Sequence, residues 1–370
     1  MFDFYKKIGN VVQDKTVTVI IKINDTEVRN WSKFTVDLNG FGDIDTFKLD
    51  LPWTVGNEPS DPLLYSGATQ SAELVNGTAE ISIEAGYEDD LKLLISGSMD
   101  SAKWCFGSSG EKVTISGRSH AGRAYDEKET VKYQNMTATE VHAMLAAKHG
   151  LTPVAPIATT TMIGEYINDD HASLTSEESH WDLVLYLAEN EGFVTRVRGN
   201  EWYFGPLESL PNMKKDAIHY TYGVDISGEL NIERAPNASR NLSVEVISYQ
   251  PAKTKRGKGS RIVEKSSSIG NGVNKYTIRK YVPNITRDQA QRIAKNILQQ
   301  MSRQQMSGSF KCDYNPELDI DRKIVLNGVG VGLSQYYFVQ GLKLSCSREN
   351  GFKCDVTFSN LQLSESGGYR

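Results

Sequence analysis

Short runs in which apolar and polar residues alternate fill both ends of this 370-residue chain. That period buries one face of a strand and no single face of a helix, so it dictates a β-rich fold. Thr16–Ile23 is dense in β-branched residues and stops at Asn24-Asp25. Lys33–Leu38 and Thr46–Leu51 alternate on either side of a break at Asn39-Gly40 and Gly42-Asp43, and Pro52 ends the second. Ala79–Ala85, Leu91–Ser96 and Lys112–Ser116 continue the pattern with Gly, Asn and Asp between them. Short strands so punctuated predict a small barrel or sandwich over residues 1–118, with Trp53 and Trp104 in its core or rim.

The period changes after Gly117. Thr137-Ala-Thr-Glu140 is a capping box, followed by an apolar stripe that Gly150 stops. Ser179–Pro206 reads as a helix running into a hairpin. Ser179 and Asp182 cap it, Trp181, Val184, Leu185, Leu187 and Ala188 line one face, and Gly192 ends it. Gly199-Asn200 is the turn between two short strands, and Gly205-Pro206 stops the second. β signals resume at His219: Leu230–Glu233, Leu242–Tyr249, Ile262–Lys265, Lys275–Tyr281, Ser309–Cys312, Lys323–Val325, Tyr336–Ser345 and Lys353–Phe358. Thr286-Arg-Asp-Gln289 caps a third helix with Ala290, Ile293, Ala294, Ile297, Leu298 and Met301 on one stripe and Arg287, Arg292, Lys295, Gln299 and Arg303 opposite. The expected class is therefore β-rich α+β. Two small β-barrel-like domains, 1–118 and 210–370, flank an α/β module at 119–209, and the second barrel carries a hairpin-plus-helix insertion at about 251–306.

Composition narrows the function more than it identifies it. Hydrophobic content of 39% and charged content of 24% are those of a soluble globular protein, and a net charge of −5 gives no wholesale attraction to nucleic acid or anionic lipid. Met1–Lys6 lacks the order of a signal peptide, and apolar runs such as Val17–Ile21 are strand-sized, so no membrane insertion is expected. Cys105, Cys312, Cys346 and Cys354 have neither disulfide-framework nor zinc spacing and are read as free thiols, although Cys346 and Cys354 flank a turn and can face each other across it.

His142 and His149 sit two turns apart on one helix without an acidic partner at metal-binding spacing, and His149 is read as a helix-end cap. His120 and His180 are read as surface or capping residues, and Asp169-Asp170-His171 as a polar loop. Glu177-Glu178 and Glu88-Asp89-Asp90 are read as exposed turns, without the buried pairing a glycosidase needs. Gly328-Val-Gly-Val-Gly332 lacks the dinucleotide pattern and is read as a bulged turn. The basic loop 253–261 has no interleaved aromatics and is read as a solvated hairpin tip. No catalytic, cofactor-binding or metal residue is assigned, and no cofactor is expected.

Three segments carry a family resemblance: Ser116-Gly-Arg-Ser-His120, Thr137-Ala-Thr-Glu140 through His149-Gly150-Leu151, and Trp181–Pro206 with Leu183–Gly192 leading to Phe204-Gly205-Pro206. Together with Ala290 and Ala294 of the third helix, they resemble the late-control protein D family of contractile-tailed phage baseplate hubs. That family is related to the N-terminal part of type VI secretion VgrG spike proteins. The resemblance spans about 15–360 and rests on packing residues; a C-terminal spike is not expected in this chain, which stops at Arg370. It implies a non-enzymatic homotrimer in the virion tail baseplate, assembled in the host cytoplasm. The ring would join the tail tube, or tape-measure proteins, to a central spike protein, and DNA would pass through its lumen without sequence-specific binding. Thr16–Ile23 and Tyr336–Ser345 are the strands expected at subunit edges. The rivals are a tail-associated cell-wall-degrading enzyme, and a secretion-spike or glycan-binding module using Tyr336 and Tyr337.

Overall fold

The computed structural model describes residues 17–53, 74–87, 90–107, 111–129, 133, 135–160, 162–163, 179–234, 242–250, 260–267, 276–282, 285, 287–303, 306–320, 322–347 and 349–360. The fold is β-rich, and most of its strands form one 13-stranded sheet. The N-terminal strands are β1 (Val17–Ile23), β2 (Thr26–Glu27), β3 (Lys33–Leu38), β4 (Thr46–Pro52), β5 (Glu80–Tyr87), β6 (Asp90–Cys105) and β7 (Lys112–Ser119). The module holds α1 (Ala121–Asp126), β8 (Met136–Thr137), α2 (Ala138–Lys148), β9 (Thr152–Val154), β10 (Met162–Ile163), α3 (His180–Glu191), β11 (Val194–Arg198) and β12 (Glu201–Gly205). Then follow β13 (Ile218–Thr221), β14 (Ile226–Arg234), β15 (Leu242–Gln250), β16 (Ser260–Ser267), β17 (Tyr276–Tyr281), α4 (Arg287–Arg303), β18 (Met306–Asp313), β19 (Lys323–Asn327), β20 (Tyr336–Ser347) and β21 (Gly351–Asn360).

The main sheet runs β14-β18-β21-β20-β3-β4-β7-β6-β5-β1-β2, with β13 and β19 branching from β20. Its two halves come from opposite ends of the sequence and meet where β3 pairs antiparallel with β20, from Leu342↔Leu38 to Ser347↔Lys33. One core runs under both halves: Phe34, Val36 and Leu49 lie with Leu344, Cys354 and Val356. Phe34 meets Phe352 edge to face at 5.6 Å, and Phe352 stacks on Tyr314 at 4.0 Å. The Tyr314 and Tyr87 hydroxyls donate across the halves to the carbonyls of Ala85 and Tyr314.

Both halves use the same device, invisible as a sequence repeat. Gly117 on β7 lies directly opposite Phe47 of β4, whose ring covers it; a Cβ there would sit 2.5 Å from the ring and 2.3 Å from the Ser98 carbonyl oxygen. Gly308 on β18 lies opposite Phe358 of β21 in the same way, 2.5 Å from the ring and 2.2 Å from the Asn231 carbonyl oxygen. An aromatic ring fills the space the missing side chain leaves, which explains why glycine is tolerated mid-strand.

The insertion differs from its expected bounds. Leu242–Gln250 alternates like a main-sheet strand, yet β15 pairs with β16 and β17 in a separate three-stranded sheet. Val244 and Val246 of β15 face Ala290, Ile293 and Ala294 of α4 in a core of their own. Alternation specifies a buried face and leaves the neighbour open. Cys354 stands opposite Cys312 of β18, and Cys346 opposite Phe352, so Cys346 and Cys354 do not face each other across the turn. All four thiols are free.

Candidate functional site

Charged side chains from three parts of the chain meet at a largely buried joint. Arg196 and Arg198 sit two apart on β11 and so share a face, while Val197 points into the module core. Both guanidiniums donate to Oδ1 of Asp319, in the turn before β19, at 3.0 and 2.9 Å. The Ile320 N–H adds a third donor at 2.8 Å, and the Asp319 side chain is 19% exposed. Burial pushes this carboxyl up, but Arg196 and Arg198 outweigh it and hold Asp319 well below the usual carboxylate range. Asp45, from the loop between β3 and β4, faces the same arginines. Burial dominates there and raises its carboxyl, although the Asn39 N–H donates to it at 2.8 Å. The loop is also held by α3, whose Trp181 Nε1 donates to the Gly42 carbonyl at 3.0 Å.

A second joint holds the insertion. Glu191 closes α3 and accepts from Gln289 Nε2 at 3.2 Å and Arg292 Nη2 at 3.1 Å, both on α4. Burial raises the Glu191 carboxyl more than these partners lower it. An exposed pair, Lys280 with Glu189 at 3.4 Å, sits beside it.

The histidines correct the sequence reading. His120 and His180 are 5% and 2% exposed, so neither is a surface residue, although His120 does take the N-cap position of α1. His142 is enclosed, stacked on Phe204 at 5.1 Å and edge-on to Trp202 at 5.4 Å, and burial pushes its imidazole down to about 4. His149 does take the C-cap position of α2, and its Nε2 lies 2.8 Å from Nδ1 of His180.

His120 lines a cavity of about 420 Å³ with Ser96, Glu80 and Arg123. Its Nε2 is 3.0 Å from the Ser96 hydroxyl and its Nδ1 3.5 Å from Glu80 Oε2. The order is that of an acyl-transfer triad. Its parts are committed elsewhere: Glu80 Oε1 accepts from Arg123 and Ser98, His120 Nδ1 has no hydrogen bond, and Ser96 lies mid-strand between paired neighbours, without a sharp turn to expose it. Asp45 and Asp319 are the buried carboxylates nearest to a glycosidase pair, and both face Arg196 and Arg198.

For assembly, β1 keeps its expected place near one end of the sheet: β5 pairs along its whole length, while β2 pairs only with Lys22 and Ile23. The Tyr336–Ser345 expectation is overturned, because β20 is an interior strand between β21 on one side and β19 and β3 on the other. The other terminal strand of the sheet is β14, whose local signal was weak because a bulge between Ile226 and Leu230 breaks its alternation. Tyr337 is fully buried and Tyr336 half exposed, so the glycan-binding rival keeps one of its two aromatics. Gly328, Gly330 and Gly332 all have positive φ and form the turn into β20, with Val331 wholly exposed at its tip. Asp169-Asp170-His171, Glu177-Glu178, Glu88-Asp89 and positions 253–259 of the basic loop lie outside the described residues. No described helix is long and apolar enough to cross a membrane.

The chain belongs to the family described as the Alg8 N-terminal domain, whose model matches residues 67–347. That name differs from the family the sequence motifs resemble, and the fold is what joins the chain to tail proteins. Its fold matches the tail protein from Neisseria meningitidis MC58 with a TM-score of 0.63 at 14% identity, over 93% of this chain and 96% of that one. The 43 kDa tail protein of prophage MuSo2 from Shewanella oneidensis matches at 0.66 and 11% identity, over 93% and 98%. The E. coli c3393 protein, described as a type VI secretion component similar to T4 bacteriophage tail proteins gp27 and gp5, matches at 0.57 and 11% identity, over 95% and 78%. No curated protein matches the sequence.

Proposed function

We infer that the chain is a structural hub of a contractile phage-type tail, of the late-control D kind. Three copies form a ring that joins the tail tube to a central spike and leaves a lumen for DNA. The observation that carries this reading is likeness along nearly the whole length of two tail proteins, 93% of this chain in each case. The design of the monomer supports it. A hub transmits force, and here strands from the N- and C-terminal halves are knit into one sheet, whose C-terminal half is pinned to the module by the Arg196 and Arg198 pairs with Asp319. Strands near both ends of the sheet are available for pairing across copies, which a closed trimer would satisfy. A net charge of −5 per copy suits a lumen that must release DNA.

The same reading makes the protein a non-enzyme. A fluorophosphonate probe should not label Ser96, and the purified chain should not clear peptidoglycan; labelling lost in Ser96→Ala would refute this. The equivalent ring of a type VI secretion spike is a second reading, favoured by the likeness to c3393. Electron microscopy of the purified chain, alone and with a tail-tube protein, tests the hub directly: threefold rings with an open centre are expected in at least one of the two, and compact particles without a hole in both would overturn it. Co-purification with a phage tube protein or with a type VI tube protein separates the two readings.

A further inference from the structure

We propose that Glu127, His149 and His180 form a binding site for a divalent cation of the zinc class, which staples the ends of α1, α2 and α3 together. One ligand atom from each of the three residues lies within 4.8 Å of the other two. They come from three separate elements. Glu127 caps the end of α1, His149 caps the end of α2, and His180 opens α3. The placement is rigid: the His180 N–H donates to the Glu127 carbonyl at 3.2 Å, and Lys128 bridges to Ser179.

The donor chemistry fits. Two imidazoles with a carboxylate suit zinc, cobalt and nickel in preference to calcium or magnesium. Both imidazoles are buried while the Glu127 side chain is 43% exposed, so two of the ligands are shielded from water and the third leaves a path for entry. His149 Nε2 and His180 Nδ1 face each other at 2.8 Å, while Glu127 Oε2 lies 3.8 Å from His149 Nδ1, the other nitrogen of that ring, so the carboxylate must swing toward Nε2 to complete the set. An ion held by bonds of about 2.0–2.1 Å needs the two facing nitrogens only a few tenths of an ångström further apart. The second observation is the far side of His180. Its Nε2 is buried without a hydrogen bond, yet faces Glu129 Oε2 at 3.4 Å. A metal on Nδ1 fixes the proton on Nε2 and aims it at that carboxylate, the histidine–carboxylate pairing that orients metal-bound imidazoles. Lys148, in ion pairs with both Glu127 and Glu129, then stays with Glu129 while Glu127 turns to the ion.

The test uses the full chain, stripped with a chelator and passed over a desalting column. Adding one equivalent of Co²⁺ should give the visible absorption of a four- or five-coordinate N/O site, and Zn²⁺ should bleach it. Zinc should remain with the protein at one ion per chain through gel filtration and raise the thermal midpoint. Glu127→Gln and His180→Gln should abolish retention, and Glu129→Gln should weaken it about tenfold or more. Absence of a Co²⁺ spectrum and of zinc retention in the wild-type chain overturns the proposal without reference to any variant. A midpoint shift that persists in His180→Gln also overturns it, by placing the ion elsewhere. Neither result bears on ring formation, which is read from particle shape and mass.

Discussion

The two buried joints of this molecule are built from similar groups and do opposite things. At the joint with the module, Asp319 accepts from two guanidiniums and a backbone N–H, and these together outweigh its burial and favour its charge. At the insertion dock, Glu191 has one arginine and one amide, and burial wins, so its environment disfavours the charge it carries. The first kind of joint is costly to break; the second is easily opened. The half-sheets and module that meet at the seam are therefore expected to behave as one body, with the insertion a more separable attachment.

The largest effect should come from the sheet seam itself. Leu344→Asp puts an unpaired charge into the core beside Val36, which it faces on β3. The cost is several kcal/mol, about the whole margin of a domain, so the variant should fail to give soluble, folded protein by circular dichroism. Asp319→Asn should fold but lose about 3 kcal/mol in urea unfolding, because the Arg196 and Arg198 guanidiniums lose the carboxylate they both donate to. Since its folded carboxyl titrates below the unfolded value of about 3.9, the Asp319 contribution is complete above that pH and fades only as pH falls further.

His142 titrates in a different window. Its folded imidazole is pushed down to about 4 by burial, so the unfolded chain takes up the proton first as pH falls. Stability should therefore decline by about 3 kcal/mol between pH ~6.5 and ~4, and His142→Phe should flatten that slope. The smallest effect belongs to the dock. Glu191→Gln should change global stability by no more than about 1 kcal/mol at pH 7, since it removes a charge that burial disfavours and leaves Arg292, half exposed, free to be hydrated. In hydrogen exchange, β15–β17 and α4 should open before β3 and β20. Equal protection at the two joints would break the comparison.

Local chemistry was readable in advance where it is dictated by neighbours in sequence. The Thr137–Glu140 capping box forms in both directions, and Gly192 ends α3 at φ +76°. Gly199-Asn200 links β11 to β12 as expected. The failures have a common cause. The alternation of Leu242–Gln250 and of Tyr336–Ser345 marks a buried face but cannot say whether a strand is interior, terminal or in another sheet. The Arg196–Asp319 pair closes across 123 residues, and nothing near either residue announces it. His180 looks like an ordinary first-turn residue, and only the arrival of α2 and the α1 end buries it. The Gly117 signal was visible within Ser116-Gly-Arg118, although its reason, the Phe47 ring, lies some 70 positions away.

The hub account rests on copies of this chain closing into a ring through strands near the ends of the sheet. Light scattering coupled to gel filtration, on the full chain with and without a tail-tube protein, tests this most directly. The account predicts a mass three times the 41.2 kDa of one chain in at least one of those conditions. A single-chain mass in both would contradict it.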